Sequence, residues 1–385
     1  MAILRMDKAS QAFEASAKSR IAFLFKRGRE DRTQGGYPTE FLYGMVQLQQ
    51  SGYDAHIITD EELGLASPPG RFGRAFSQMV YVTTGIPWWP LRRLLRLESR
   101  KRLDAFDCVV VTTNLFGICL GALRRIGVLR PRILFIAMGL IGPNTARRVI
   151  SVYQWLLGEG VTLRTLSEID ARQLASCIGA TVSHIPFGVD VEFWVPEEQT
   201  ARATSGDYVL SIGNDSNRDY ETLIRAWKPD YPLLRIVTGR ELVTTAKNIE
   251  VQPGDWHKQI LTDQQVRALM RQARFVILPI VNTLQPSGQS VCLQAMACAK
   301  AVVITDFPGL WNRELLRDGD TCVLAGAPGS HSEMQLAVER LLEAPGLASA
   351  IGDRARKIVE SSLNVNAMAA AMAGELDRLL QRARN

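Results

Sequence analysis

Cysteine and histidine are scarce in this chain, and neither type is clustered. Six cysteines and four histidines are spread over 385 residues, with no CxxC pair and no group at metal-ligand spacing. Most of the cysteines lie in apolar stretches, where a free thiol behaves as a small hydrophobic side chain. The pattern argues against a structural zinc site or a disulfide framework, and it favours reduced cysteines in a cytoplasmic protein.

Long hydrophobic runs are also missing. The longest strongly apolar run, residues 133–142, is about half of the roughly 20 residues that a membrane span needs. The first 20 residues mix charged and small side chains and lack the apolar stretch of a signal peptide. We therefore expect no segment that crosses a bilayer.

The positive charge is unevenly distributed. The net charge is +6, yet residues 71–103 alone contain eight basic residues and one acid, so the remainder of the chain is almost neutral. A patch of this kind would attract nucleic acid or an anionic membrane. No nucleic-acid-binding motif accompanies it, so we do not expect a nucleic-acid partner.

The length and the order of apolar runs predict two domains. One hydrophobic core stops growing at roughly 250–300 residues. Strand-like runs alternate with helical segments up to residue 165, pause near residues 185–190, and resume from residue 208. Such alternation predicts an α/β doubly wound parallel sheet in each half. We place the domains at residues 1–190 and 191–385, facing across a cleft, and the last helix is a candidate to pack back on the first domain.

Small residues fill a predicted strand-to-helix junction at residues 278–298. Ser287 and Gly288 lie where the helix would begin. Free backbone N–H groups and the helix dipole make such a junction suited to a diphosphate. The alternative is an ordinary structural turn, since any α/β fold contains loops of this kind.

Several other segments follow one another in a familiar order. Residues 294–303 read QAMACAKAVV, residues 307–309 and 316–320 form downstream loops, residues 185–196 read IPFGVDVEFWVP, and a glycine pair precedes them all at Gly35-Gly36. In these motifs the chain resembles the retaining GT-B glycosyltransferases of family 4 over most of its length. The resemblance implies two Rossmann-like domains and a metal-independent hexosyltransferase. It further implies no cofactor, a nucleotide-sugar donor (with uridine as base) in the C-terminal domain, and an acceptor in the N-terminal domain.

The chain departs from that family at its two acidic positions. The glutamate that usually bonds the ribose is replaced by Gln294, and the one that usually contacts the sugar is replaced by Pro286. Gln294 can still hydrogen-bond a diol, but it loses the charge-assisted bond. Gln289 and Ser290, with the backbone amides of residues 288–290, are the expected substitutes.

Cations must neutralise the diphosphate. Arg218 falls where the family has a lysine, Asn214 falls where it has an arginine, and Arg240 ends another predicted strand. Arg218 can clamp a phosphate in bidentate fashion; its alternative is a solvated loop arginine paired with Asp219 or Glu221. The predicted catalytic residues are Arg218 and Gln289. The predicted donor-binding residues are Gly35, Gly36, Gly213, Asn214, Arg218, Arg240, Asp255, Trp256, Ser287, Gly288, Gln289, Ser290, Val291 and Gln294.

No residue reads as a catalytic base. Each histidine suits a structural or solvated position better than a catalytic one. In the retaining course that the resemblance implies, the departing phosphate itself takes the acceptor proton, and positioning and charge stabilisation do most of the catalysis. Trp256 suits either a stack on the base or a place in the core.

The basic segment at residues 71–103 suggests where the acceptor is. Treated as one helix, residues 91–103 place arginines on one side and leucines on the other, as in helices at a membrane interface. The alternative is a helix packed on the sheet with its arginines in water. We expect peripheral attachment to the inner face of the cytoplasmic membrane, and a lipid, lipid-linked or glycan acceptor. The predicted contacts are Trp88, Trp89, Arg92, Arg93, Arg96 and Arg100.

Two further functions are compatible with the motifs. A protein that keeps the fold but has lost turnover would explain the missing acidic pair. A nucleotide-sugar epimerase is the other alternative, but it needs an acid/base group in the cleft.

Overall fold

The computed structural model describes residues 19–66, 70–196, 208–254 and 260–381. Two of the predicted donor-binding residues, Asp255 and Trp256, lie outside these ranges.

The N-terminal half forms one parallel sheet in the order β2-β1-β3-β4-β5-β6. Its strands are β1 (Arg20–Phe25), β2 (Asp54–Thr59), β3 (Cys108–Val111), β4 (Arg132–Ile136), β5 (Val161–Thr165) and β6 (Ser183–His184). Its helices are α1 (Met45–Gln50), α2 (Arg71–Thr84), α3 (Trp88–Leu94), α4 (Leu97–Leu103), α5 (Asn114–Arg125), α6 (Arg147–Leu156) and α7 (Glu168–Ile178).

The C-terminal half forms a second parallel sheet in the order β12-β11-β10-β7-β8-β9. Its strands are β7 (Tyr208–Ile212), β8 (Leu233–Thr238), β9 (Ile249–Pro253), β10 (Val276–Leu278), β11 (Val302–Ile304) and β12 (Val323–Leu324). Its helices are α8 (Tyr220–Ala226), α9 (Asp263–Gln272), α10 (Gln289–Ala297), α11 (His331–Leu342), α12 (Pro345–Ser362) and α13 (Val365–Gln381).

The central strands are continuous apolar runs because helices cover both faces of each sheet. Strands β3 and β10 are buried along their whole length. One apolar cluster extends from β1 through the linker at residues 185–194 to α10 and α13, so the two halves share a core. The predicted α/β fold with two Rossmann-like sheets is confirmed.

The linker between the halves is fixed by the C-terminal helices. Val189 accepts a backbone hydrogen bond from Val365 at 3.0 Å and donates one to Leu363 at 2.9 Å. The guanidinium of Arg356 donates to the carbonyls of Val191 and Trp194 at 3.0 and 2.6 Å. These bonds hold the linker against α12 and the start of α13.

Helix α13 crosses back and contacts the first domain. Glu375 pairs with Arg164 of β5 at 2.5 Å, and both side chains are largely buried. Asp377 accepts a hydrogen bond from the Tyr53 hydroxyl at 2.9 Å. At Gly44 a Cβ atom would lie 2.7 Å from the Cα of Ala369, so only glycine permits this close approach.

Two helices predicted from the sequence are interrupted. Phe41, Leu42, Met45 and Leu48 recur at helical spacing and predict one helix over residues 39–51. The structure has instead a short 3-10 turn (Glu40–Leu42) followed by α1, because Tyr43 and Gly44 are left-handed, at φ 52° and 79°. The single helix expected over residues 91–103 breaks at Arg96, whose backbone is extended. The arrangement of arginines opposite leucines is therefore wrong, since Leu95 is exposed and Arg93 is half-buried.

Candidate functional site

Arg218 is a buried cation at the carboxyl edge of the second sheet. Its side chain follows β7, is 3% exposed, and donates from Nε to the Asp215 carboxylate at 2.8 Å. Within the described chain, its Nη1 is buried without a hydrogen-bond partner. Asp219 caps α8 and Glu221 pairs with Arg225, so the alternative of a solvated loop arginine bound to those acids is wrong.

Two glycines make room for this guanidinium. A Cβ atom at Gly213 would lie 2.3 Å from the Arg218 Nε, and one at Gly288 would lie 3.1 Å from its Nη1. Gly288 also has a left-handed backbone, at φ 79°, which favours glycine. The strand β7 and the helix α10 therefore approach Arg218 from two sides.

Helix α10 begins beside the unpartnered nitrogen. Gly288 is its N-cap, and no side chain of the described residues caps it. The first N–H groups of a helix have no partner within it, and the helix dipole places partial positive charge there. Open amides and a buried guanidinium thus converge on one point, which is a site for an anion.

Hydrogen bonds between two loops hold Arg218 and the start of α10 together. The side-chain amide of Asn217 donates to the side-chain oxygen Oε1 of Gln285 at 3.0 Å and to the Ser287 hydroxyl at 2.7 Å. This ties the loop that carries Arg218 to the loop that precedes α10. Sequence reasoning missed Asn217, although it directly precedes Arg218.

Arg240 and Asn214 stabilise the same edge in different ways. Arg240 donates from Nη1 to the carbonyl of Arg218 at 2.5 Å and lies over the Tyr220 ring. The Asn214 side chain donates to the Gly254 carbonyl and accepts from the Gly239 amide, each at 2.6 Å. Arg240 is an exposed second cation, whereas Asn214 joins the ends of three strands.

The two predicted glutamines lie at the contact between the domains. Gln294 is buried and donates to the carboxylate of Glu40 at 2.9 Å. Gln289 is also buried and donates to the Leu166 carbonyl at 3.3 Å. In this structure both side chains therefore have partners in the first domain.

Glu40 was missed by the sequence analysis. It is fully buried, and its carboxylate accepts from the Trp194 indole at 2.8 Å as well as from Gln294. Burial raises the pKa of Glu40, and the two hydrogen bonds lower it. The effect of burial is the larger one, so the pKa is raised to about 7. Nothing in the sequence near Glu40 points to this role, because its partners are more than 150 positions away.

The glycine loop lies against another helix of the second domain. The carbonyl of Gly36 accepts from the Gln264 side chain at 2.7 Å, and Arg32 pairs with Asp263 at 2.9 Å. Both contacts are to the first turn of α9. Ser290 and Val291 lie in the first turn of α10, where Val291 is buried in the shared core.

The basic segment forms an uneven surface. Trp88 packs edge-on against Phe76 with ring centroids 6.0 Å apart, and the Arg93 guanidinium lies 4.7 Å from the Trp89 ring. Helix α2 has no buried residue, and Phe72 is 94% exposed. The structure thus adds an apolar helix face that the sequence analysis did not single out.

The described residues contain neither a metal-binding cluster nor a membrane-spanning helix. No three His, Cys, Asp or Glu side chains in the described ranges are grouped so that they could hold a metal ion. Across the same ranges, no helix combines the length and apolarity required to traverse a bilayer.

Comparison with known sequences identifies relatives of part of the chain. Residues 207–344 match the family described as Glycosyl transferases group 1. An alpha-maltose-1-phosphate synthase of Mycobacterium tuberculosis is 26% identical over 200 residues, which cover 44% of this chain and 50% of that protein. The chain thus spans about half the length of the curated relatives it matches.

Comparison with solved structures concerns the whole fold. A sucrose-phosphate synthase from Thermosynechococcus elongatus superposes with a TM-score of 0.70 at 18% identity, covering 95% of this chain and all of that one. HepE of Anabaena in complex with UDP-glucose superposes with a TM-score of 0.67 at 15% identity, covering 94% of this chain and all of that one. At these identities the likeness shows the fold, which is that of GT-B glycosyltransferases.

Proposed function

We propose that the chain transfers a hexose from a UDP-sugar to an acceptor, because residues 207–344 match the family described as Glycosyl transferases group 1. The second domain would hold the donor and the first would hold the acceptor. HepE of Anabaena was crystallised with UDP and with UDP-glucose, which supports the choice of uridine.

One observation carries the proposal: among the described residues, the buried Nη1 of Arg218 lacks a partner beside the uncapped start of α10. A buried cationic donor that is left unpaired costs free energy, of order 1–3 kcal/mol or more. A diphosphate bound there would satisfy Nη1 and the free amides together. Asp215 neutralises only one side of the guanidinium and is itself part-exposed.

The reaction that fits this arrangement is a displacement at the anomeric carbon. The bond from that carbon to the diphosphate oxygen breaks, and a bond to the acceptor hydroxyl oxygen forms. The hydroxyl proton passes to the released diphosphate, so UDP leaves carrying it. Arg218 and the α10 amides stabilise the charge that develops on the leaving group. We propose retention of configuration, because attack from the side of the departing phosphate needs no separate base.

We further propose that this transfer needs no metal ion. The Arg218 side chain lies beside the start of α10, and Arg240 donates a hydrogen bond to the Arg218 carbonyl. Two cations and a helix N-terminus can balance the charge of a diphosphate.

We propose a lipid or lipid-linked acceptor, reached by peripheral attachment to the cytoplasmic face of a membrane. The support is the face of α2, where Phe72, Phe76, Met79 and Val82 are all exposed. Arginines of α2 and α3 flank it. Exposed apolar side chains within a basic surface suit an anionic bilayer.

The donor assignment is tested by binding UDP and a panel of UDP-sugars to the purified protein. We expect UDP-sugars to raise the Tm without added metal ion, and transfer or slow donor hydrolysis to release UDP. Binding with the donor left intact in the presence of membrane extracts would favour a binding protein without turnover, as the substitutions at Pro286 and Gln294 allow. Absence of any UDP binding would contradict the proposal.

The membrane assignment is tested by co-sedimentation with vesicles. We expect binding to anionic phosphatidylglycerol vesicles, weaker binding to neutral phosphatidylcholine, and loss of binding when Arg92, Arg93 and Arg96 are changed to Glu. Binding that survives this triple change would refute the role of the basic segment.

A further inference from the structure

A cavity of about 270 Å³ lies in the first domain, at the carboxyl ends of its strands. Lys26 and Arg29 follow β1, Thr112 and Thr113 follow β3, and Met138 follows β4; all five line it. Ligands of parallel α/β sheets bind at this edge. The cavity is smaller than the roughly 300–1,000 Å³ typical of drug-sized ligands, so it suits one sugar ring or phosphate and not a nucleotide sugar.

The cavity is positively charged without compensation. None of its lining residues is acidic. Within the described ranges, Lys26 and Arg29 form no salt bridge, and the Lys26 side chain is exposed. Two lysine or arginine side chains around one small space repel each other unless an anion lies between them.

Arg29 is held in place by its neighbours. Its Nη1 donates to the Phe41 carbonyl at 2.5 Å, and its guanidinium lies 5.5 Å from the Phe41 ring and 5.9 Å from the Tyr43 ring. An arginine fixed by aromatic rings loses little side-chain entropy when it binds a ligand. Its remaining N–H groups are thus available as oriented donors.

Two threonines also line the cavity. Thr112 is buried, and Thr113 is the N-cap of α5 but makes no capping side-chain bond to the described residues. The side chain of Asn114 already has partners: it donates to the Met138 carbonyl at 2.8 Å and accepts from the Met138 amide at 3.2 Å. Hydroxyls near two cations suit the oxygens of a phosphate.

The cavity adjoins the donor loop. Gly139 follows Met138, and a Cβ atom there would lie 2.4 Å from the Gln285 side chain. Gln285 belongs to the loop that Asn217 ties to the start of α10. A ligand in the cavity would therefore lie across this contact from the proposed diphosphate site.

We propose that Lys26 and Arg29 bind a phosphoryl group of the acceptor, so that the acceptor is a phosphorylated molecule. This rests on the proposed function. The phosphoryl group stays on the acceptor throughout and takes no part in bond making. Its source is either a soluble sugar phosphate or a lipid-linked phosphate.

The test uses full-length protein saturated with UDP, so that the donor site is filled. Inorganic pyrophosphate is then titrated by calorimetry. We expect one further binding event, weakened about tenfold by Lys26→Gln, since one charge-assisted contact is lost. Arg27→Gln is the matched control, because Arg27 is also exposed but does not line the cavity; we expect it to leave binding unchanged.

The outcomes separate the two proposals. Failure to bind UDP would contradict the proposed function itself. Normal UDP binding with no second event, or with a second event that Lys26→Gln does not weaken, would overturn the acceptor assignment alone. Arg29→Lys keeps the positive charge but removes the planar guanidinium with its paired N–H donors. We expect this variant to bind pyrophosphate more weakly and to bind UDP with unchanged affinity.

Two further ligands identify the source of the phosphate. Tighter binding of glucose 1-phosphate than of pyrophosphate would indicate a soluble sugar phosphate. Tighter binding of farnesyl diphosphate in detergent would indicate a lipid-linked acceptor. If both bind more weakly than pyrophosphate, the cavity does not recognise an acceptor and the proposal is wrong.

Discussion

Arg218 lies in a loop of the second domain, and Arg92 lies in the last turn of helix α3 in the first domain. The two arginines differ in burial and in their neighbours. Arg218 is buried, fixed by Asp215, and enclosed by Gly213 and Gly288. Arg92 is exposed and lies 5.8 Å from the Trp89 ring. A buried charge acts on one ligand at one place, whereas exposed charges act together on a broad surface and are screened by salt.

The first prediction concerns Arg218, where the contrast should be largest. Changing Arg218 to Ala removes a charge-assisted bond to the diphosphate, of about 1.5–3 kcal/mol, so we expect UDP affinity to fall about 100-fold. The matched control is Arg225→Ala, an exposed arginine of α8, which should not change UDP affinity. Equal affinities for the two variants in calorimetry would place the donor elsewhere.

The second prediction concerns the pH dependence of stability. Because the pKa of Glu40 is raised to about 7 from its ordinary value of 4.5, the folded state binds this proton more tightly than the unfolded state does. The stability that it contributes is therefore present at low pH and is lost as the pH rises from about 4.5 through 7. The penalty above pH 7 is on the order of 3 kcal/mol.

Glu40→Gln isolates this effect. Glutamine can still accept from Trp194 and Gln294, although it loses the longer bond from the Asp190 amide, at 3.4 Å. We expect its Tm to exceed that of the wild type at pH 8 and the gap to narrow toward pH 5. A constant gap across thermal melts from pH 5 to 8 would show that Glu40 does not titrate in this window.

The third prediction separates backbone strain from ligand space at the start of α10. Gly288→Ala places a methyl group 3.1 Å from the Arg218 Nη1, where an oxygen of the diphosphate is expected. We expect UDP affinity to fall about tenfold, less than for Arg218→Ala, because the methyl group displaces that oxygen but leaves the guanidinium in place. Gly127→Ala has a similar positive φ, 74°, but open space around it, so it should lower the Tm by a similar amount and leave UDP affinity intact.

The smallest effect is expected on the exposed surface of the first domain. Phe72→Ser removes an apolar side chain worth about 1.5–3 kcal/mol when fully buried, and partial insertion should weaken vesicle binding about fivefold. Leu336→Ser, in α11 of the second domain, is the control, because Leu336 is also an exposed apolar side chain of a helix (64% exposed, against 94% for Phe72). If the two variants bind vesicles equally well in co-sedimentation, helix α2 does not enter the bilayer.

Local patterns allowed much of the second domain to be predicted. The strand runs and the glycine junction before α10 were predicted from neighbours in the sequence, and Arg218 was predicted from the resemblance to family 4. The two predicted helices were wrong in length, because a few residues with non-helical backbone interrupt each of them. Tyr43 adopts a left-handed backbone despite its bulky side chain, because packing against Phe187 and Phe25 holds it there, and propensity does not report such contacts.

The amino-acid sequence by itself determined the two parallel sheets, because alternating apolar runs bury the same faces whatever lies around them. Only the tertiary structure decided that Arg218 is buried with one nitrogen that no described residue bonds. It also decided that Glu40 meets Gln294 across 254 positions and that Lys26 and Arg29 share a cavity. Contacts between residues far apart in the chain depend on how the domains pack, and no local pattern encodes that packing.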